Sequence, residues 1–182
     1  MKKVLVPFAE GFEEIEAITI VDILRRAGAI VVTVGLEKRN VEGSHGIKVV
    51  TDSVLDDVLQ DTWDMVVLPG GVPGAPTLMD DLRIITLLKD QAQKNKTSAA
   101  ICAAPAVLEK AGLTKNKEVT SHPAWADRMT TAIHTGARVQ TADLLVTGQA
   151  AGSAMEFSFK LVETLFGSEK VAEVNAGVLA KL

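Results

Sequence analysis

Cys102 is the only cysteine in the chain, and it stands where a nucleophile would be built. It ends the apolar run Ser98-Ala99-Ala100-Ile101, and Pro105 follows three residues later. The run reads as a buried strand. Proline suits a first helical turn, where its missing N–H costs nothing. A thiol on so sharp a strand-to-helix turn points into the crevice at the carboxyl end of a parallel sheet. Free N–H groups and the positive end of the helix dipole would favour thiolate over thiol there. The alternative for a lone thiol is an inert cysteine packed as a small hydrophobe.

A carboxylate lies where a surface charge does not belong. Glu16, Ile20, Ile23 and Ala27 follow i, i+4, i+7, i+11 spacing, so Glu16 continues an apolar stripe of the first helix. Its neighbours Glu13 and Glu14 are expected on the exposed first turn. Burial would raise the Glu16 pKa, and a protonated carboxyl can donate a hydrogen bond to a thiolate. The bland alternative is an ordinary first-turn glutamate.

Pro69-Gly70-Gly71-Val72-Pro73-Gly74 follows another apolar strand and allows close backbone approach. No Gly-Lys-Ser/Thr or GxGxxG pattern is present, so neither a P-loop nor a dinucleotide site is expected. The N–H groups of Gly71 and Ala103 could form an oxyanion hole beside the thiol. His122, in Val119-Thr120-Ser121-His122-Pro123, ends a predicted strand on the same edge and could orient or protonate a substrate. His45 and His134 are weaker candidates, and the three histidines show no metal-ligand spacing. Gly152, in Gln149-Ala150-Ala151-Gly152-Ser153, marks a further close-approach loop, with Ser153 as helix N-cap.

The elements that must position these residues alternate along the chain. Strands are expected at Val4–Phe8, Ile30–Val34, Asp64–Pro69, Ser98–Cys102, Glu118–Ser121 and Leu144–Thr147. Helices are expected at Glu13–Ala27, stopped by Gly28, at Val54–Leu59, at Leu82–Lys94, after Pro105, and after Ser153 and Ser168. Gly43–Thr51 reads as a hairpin or a turn into an edge strand. The order predicts an α/β, doubly wound three-layer sandwich with a mostly parallel sheet, as one domain over residues 1–182.

Composition agrees with that class. The 182 residues include no tyrosine, so the core must be mostly Val, Ile, Leu and Ala. A net charge of −4, with both signs mixed, gives nucleic-acid binding little support. One cysteine excludes an internal disulfide and fits a reducing, cytoplasmic compartment. The apolar N-terminal stretch is broken by Pro7 and followed by Glu10, too short for a signal peptide, and no run could span a bilayer. Ile15, Ile18 and Val21 form a second apolar stripe on the first helix, which predicts a two-fold dimer.

Ala9-Glu10-Gly11-Phe12-Glu13-Glu14-Ile15-Glu16, Val67-Leu68-Pro69-Gly70-Gly71, Ala99-Ala100-Ile101-Cys102-Ala103-Ala104-Pro105 and Val119-Thr120-Ser121-His122-Pro123 together resemble the ThiJ/PfpI family. The likeness is strongest to the branch of the human parkinsonism-linked deglycase and its bacterial homologues. It implies a flavodoxin-like, dimeric protein needing no cofactor, with Cys102 on a strained elbow beside protonated Glu16, and His122 completing the site. Gly70, Gly71, Ala103 and Gly152 would line the pocket. It further implies glutathione-independent glyoxalase or deglycase chemistry on methylglyoxal, glyoxal or their early adducts, and a cysteine readily oxidised to sulfinate. The rival reading is a redox sensor or stress chaperone with little turnover. Ala103 follows Cys102 where the protease-named and heat-shock branches carry histidine, which argues against peptidase activity. Ala150-Ala151-Gly152 stands where many members have Gly-Pro-Gly, and His45 stands where the human protein has arginine. Nothing supplies the cofactor motifs that a thiazole-biosynthesis label would need.

Overall fold

A computed structural model describes residues 1–182. The chain runs β1 (Lys3–Phe8), α1 (Glu14–Arg26), β2 (Ile30–Gly35), β3 (Asn40–Glu42), β4 (Lys48–Val50), β5 (Ser53–Val54), β6 (Met65–Leu68), α2 (Gly74–Asp80) and α3 (Leu82–Gln93). It continues through β7 (Thr97–Ile101), α4 (Pro105–Lys110), β8 (Glu118–Val119), β9 (Ile133–His134), β10 (Val139–Ala142), β11 (Leu145–Gly148), α5 (Ala154–Phe166) and α6 (Ser168–Val178). The main sheet has the order β10-β11-β7-β6-β1-β2-β5 and is parallel except for β10. This is the doubly wound three-layer sandwich expected from the alternation of elements, in the flavodoxin-like form that the family resemblance implies.

Apolar runs form the inner strands because both sheet faces are covered. Val4, Val6 and Phe8 of β1 face one core, with α1 and α5, while Leu5 faces the other, with α3 and α4. The two cores hold 24 and 22 buried residues, so neither face is left to solvent. Chain order moves outward from β1 through β2 to β5, then returns to β6, β7 and β11 on the other side. The reversal falls between β1 and β6, and a crevice opens at the carboxyl ends of the strands there.

Local chemistry sets the element ends. Glu13 caps α1 by accepting the Glu16 N–H at 2.7 Å, and Gly28, at φ +85°, carries the chain out of it. Pro105 opens α4 as expected. Gly43–Ile47 is the loop of the β3–β4 hairpin.

Four expectations need correcting. The strand read over Glu118–Ser121 stops at Val119, outside the main sheet, because side chains take the next two amide N–H groups. The helix read over Val54–Leu59 is one 3-10 turn, Leu55–Val58. Ser153 does not cap α5 with its side chain, since its hydroxyl turns back to the Ala150 carbonyl at 2.9 Å. The segment Gly74–Asp80, for which no element was expected, forms α2.

Phe157 of α5 is fully buried against the sheet, with its ring close to Gly148. Phe157→Ala is expected to cost roughly 3–5 kcal/mol. A urea unfolding midpoint unchanged from wild type would contradict this packing.

Candidate active site

Three neighbouring strands deliver the site. β1 leads into α1 and Glu16, β6 into Gly70 and Gly71, and β7 into Cys102. Cys102 sits at φ +65°, a left-handed conformation that costs a non-glycine residue about 1 kcal/mol or more. This is the strained strand-to-helix elbow. Two main-chain hydrogen bonds hold it: Cys102 N–H donates to the Gly148 carbonyl at 3.0 Å, and its own carbonyl accepts from His122 N–H at 2.8 Å.

Glu16 has no exposed surface, and its stripe partners Ile20, Ile23 and Ala27 are buried with it. Gly70 N–H donates to Glu16 Oε2 at 2.8 Å. A Cβ on Gly70 would lie 2.7 Å from both that oxygen and Cys102 Cβ, so only glycine lets the three groups meet. Gly71, at φ +97°, has no room for a side chain against the backbone of Gly11 and Glu13. The backbone N–H groups of Ala103 and Gly71 favour a negative charge on the Cys102 sulfur.

The thiol departs from expectation. Burial, then the adjacent Glu16 carboxylate, push Cys102 up to about 12, against the pull of the Ala103 and Gly71 N–H groups. The helix dipole does not win, because α4 has only six residues and the thiol is largely desolvated. Burial likewise pushes Glu16 up to about 7, opposed by Gly70 N–H and the Cys102 thiol. Each ionised group penalises the other, so the pair carries at most one negative charge near neutrality.

Hydrogen-bond accounting says where that charge rests best. Glu16 Oε1 is buried without a partner, whereas the Ala103 and Gly71 N–H groups favour charge on the sulfur. A proton on Oε1 directed at the sulfur leaves neither atom unsatisfied and removes the carboxylate charge that holds the thiol up. Ionised Glu16 beside a neutral thiol would leave a fully charged buried oxygen with only a weak S–H donor.

The other candidates divide. His122 shares the elbow through its main chain, and its ring Nδ1 accepts from Ala124 N–H at 3.2 Å. Gly152 is not packed against this group. Its carbonyl accepts from Arg138 at 2.5 Å, and a side chain at 152 would meet nothing within 4 Å. Glu14, expected on an exposed turn, is buried beneath the β3–β4 hairpin. It accepts from His45 N–H at 2.7 Å and bonds the His45 ring at 2.8 Å. Burial opposes its charge, but the His45 and Ile47 donors outweigh burial and hold Glu14 at about 2. Glu13, Glu14 and His45 bring possible metal-ligand atoms within 4.8 Å of one another. The Glu14 carboxylate is already engaged by the hairpin donors, so this group pins a loop. No sequence spacing signals it, because the hairpin must fold before His45 reaches α1.

Glu16 also links stability to pH. Unfolded, Glu16 loses its proton near pH 4.5, whereas the folded Glu16–Cys102 pair gives up its first proton near 7, so the stability contributed by the fully protonated pair is lost as pH rises through that interval. Relative to wild type, Glu16→Gln should gain about 3 kcal/mol between pH 4.5 and pH 8. Thermal unfolding of both proteins across that range checks this, and a pH-independent difference would contradict it.

The sequence profile of the DJ-1/PfpI family matches residues 2–164. The chain is 42% identical over 179 residues to Protein DJ-1 homolog A of Arabidopsis thaliana, covering 97% of this chain and 46% of that protein. It therefore spans about half the length of that plant relative. It is 38% identical to the Parkinson disease protein 7 homolog of Danio rerio, covering 99% and 98% of the two chains. It is 37% identical to the glutathione-independent glyoxalase DJR-1.2 of Caenorhabditis elegans, covering 88% and 87%. Among solved structures, oxidised Toxoplasma gondii DJ-1 superposes with a TM-score of 0.95 at 36% identity, with all of both chains covered. Drosophila melanogaster DJ-1beta also gives 0.95, at 37% identity, covering 100% of this chain and 99% of that one. On this match over most of its length, the chain belongs to the DJ-1/PfpI family.

Proposed function

We propose that the protein is a cysteine-dependent, glutathione-independent glyoxalase acting on small α-oxoaldehydes such as methylglyoxal and glyoxal, or on their early adducts. The observation that carries this reading is the Cys102 side chain on a left-handed elbow beside fully buried Glu16, with the Ala103 and Gly71 N–H groups favouring charge on the sulfur. The Caenorhabditis elegans relative's name supports an activity of this class.

The chemistry follows from the geometry. Cys102 thiolate adds to the aldehyde carbon, forming a C–S bond, and Glu16 gives its proton to the oxygen that takes up the charge. The Gly71 and Ala103 N–H groups stabilise the developing oxyanion. Ionised Glu16, assisted by His122, takes the proton from the former aldehyde carbon and returns it to the neighbouring one, while the hydroxyl proton on the first carbon passes to the carbonyl oxygen of the second. The first carbon is oxidised and the second reduced, so no external oxidant is needed. The resulting thioester is cleaved by water, which releases the 2-hydroxy acid, and the second proton of that water returns to Glu16, so that the thiolate is restored. Deglycation would use the same addition on a glycated amine, thiol or guanidinium. Gly70, lacking a side chain, lets the carboxyl and the sulfur meet.

Turnover needs the pair in its singly charged form, so it should rise as pH passes about 7. Lactate formation from methylglyoxal without glutathione tests the proposal. Wild type should show it, and Cys102→Ala and Glu16→Gln should each lose at least about a hundredfold. Full turnover in Cys102→Ala would refute the mechanism. Absence of turnover in wild type, with ready peroxide oxidation of Cys102, would favour a redox sensor or stress chaperone. The oxidised Toxoplasma gondii structure is the observation behind that second reading.

The protein is further proposed to act as a homodimer in a reducing compartment such as the cytoplasm. Ile15 and Ile18 on α1 are 59% and 44% exposed, while Val21, the third member of their stripe, is buried within the subunit. No helix is long and apolar enough to cross a membrane. Sedimentation at micromolar concentration should show a dimer that Ile18→Asp dissociates. A monomer throughout would refute the pairing.

A further inference from the structure

Three successive amides follow β8, and none has a strand partner. Thr120 N–H donates to the Thr147 hydroxyl at 3.0 Å, Ser121 N–H to His134 Nε2 at 3.1 Å, and His122 N–H to the Cys102 carbonyl at 2.8 Å. Thr120 and Ser121 are fully buried, so each acceptor satisfies a donor that water cannot reach. The Ser121 hydroxyl also lies 3.0 Å from His134 Nε2 and 3.2 Å from the His122 carbonyl.

We infer that His134 is a positioning residue, which seats the Ser121–His122 segment beneath the Cys102 elbow and thereby fixes the backbone that presents the sulfur. A backbone N–H can only donate, so His134 Nε2 must accept and its ring proton must sit on Nδ1. β9 places the ring for this task, because its parallel register sets His134 beside Val119, two residues before Ser121. Without the acceptor, Ser121 N–H is buried and unpaired, and the chain must shift to find water. His122 moves with it, and the Cys102 carbonyl loses the partner that fixes its left-handed backbone. His134 touches no reacting atom in this scheme. The inference bears on the proposed reaction through Cys102, but its test does not need that reaction.

The experiment compares His134→Phe, which keeps the ring and removes the acceptor, with His134→Gln, whose side-chain oxygen can reach the place of Nε2. Cys102 alkylation by iodoacetamide, followed by mass spectrometry at fixed pH, reports the elbow directly and needs no substrate. His134→Phe should alkylate at least about fivefold more slowly than wild type, and His134→Gln within about twofold of it. kcat/KM for methylglyoxal should follow the same order. Should His134→Phe fail to fold, His134→Asn, whose oxygen falls short of Ser121, replaces it with the same expectation. Wild-type alkylation rates in folded His134→Phe or His134→Asn would overturn the inference, as would equal loss in His134→Gln. A wild type that alkylates readily but leaves methylglyoxal unchanged would refute the glyoxalase reading alone, with the alkylation series still deciding the role of His134.

Discussion

The burial of one carboxyl against one sulfur is the constraint on which the rest of this structure depends. Glu16 sits on an otherwise apolar stripe and meets a single backbone donor, Gly70 N–H. A fully charged carboxylate there would cost several kcal/mol, so the group retains a proton to near neutrality. The retained proton makes the site useful, because it offers the sulfur a hydrogen bond and any oxyanion an acid. Burial that destabilises the folded chain at high pH is thus the same burial that tunes the pair.

Much of the fold exists to bring three loops to that point. The reversal of strand order between β1 and β6 opens the crevice, and the glycines after β6 let its wall approach within contact of both side chains. The elbow at Cys102 stores backbone strain, which its hydrogen bonds to Gly148 and His122 offset. Those bonds come from different parts of the chain. The site is therefore fixed by tertiary structure more than by any one motif.

Periodicity and local chemistry made the central features legible in the sequence. The 3.6-residue stripe exposed Glu16 as misplaced, and the apolar run ending before Pro105 located the elbow. What stayed hidden required long-range contacts. Glu14 looks like a surface charge until the β3–β4 hairpin delivers His45 to it. Thr120 and Ser121 look like strand residues until the side chains of Thr147 and His134 take their N–H groups. The opposition that burial offers to the thiolate was missed for another reason. A helix dipole can be inferred from sequence, whereas the desolvation that outweighs it depends on the packing around the sulfur.

The central claim is that Glu16 holds the proton while Cys102 holds the charge, and infrared spectroscopy tests it most directly. Difference spectra between wild type and Glu16→Gln at pH 8, with thiolate absorbance followed in the ultraviolet, report both groups in one sample. The account predicts a protonated-carboxyl carbonyl band from Glu16 together with a thiolate at Cys102. An ionised carboxylate beside an intact S–H would contradict it.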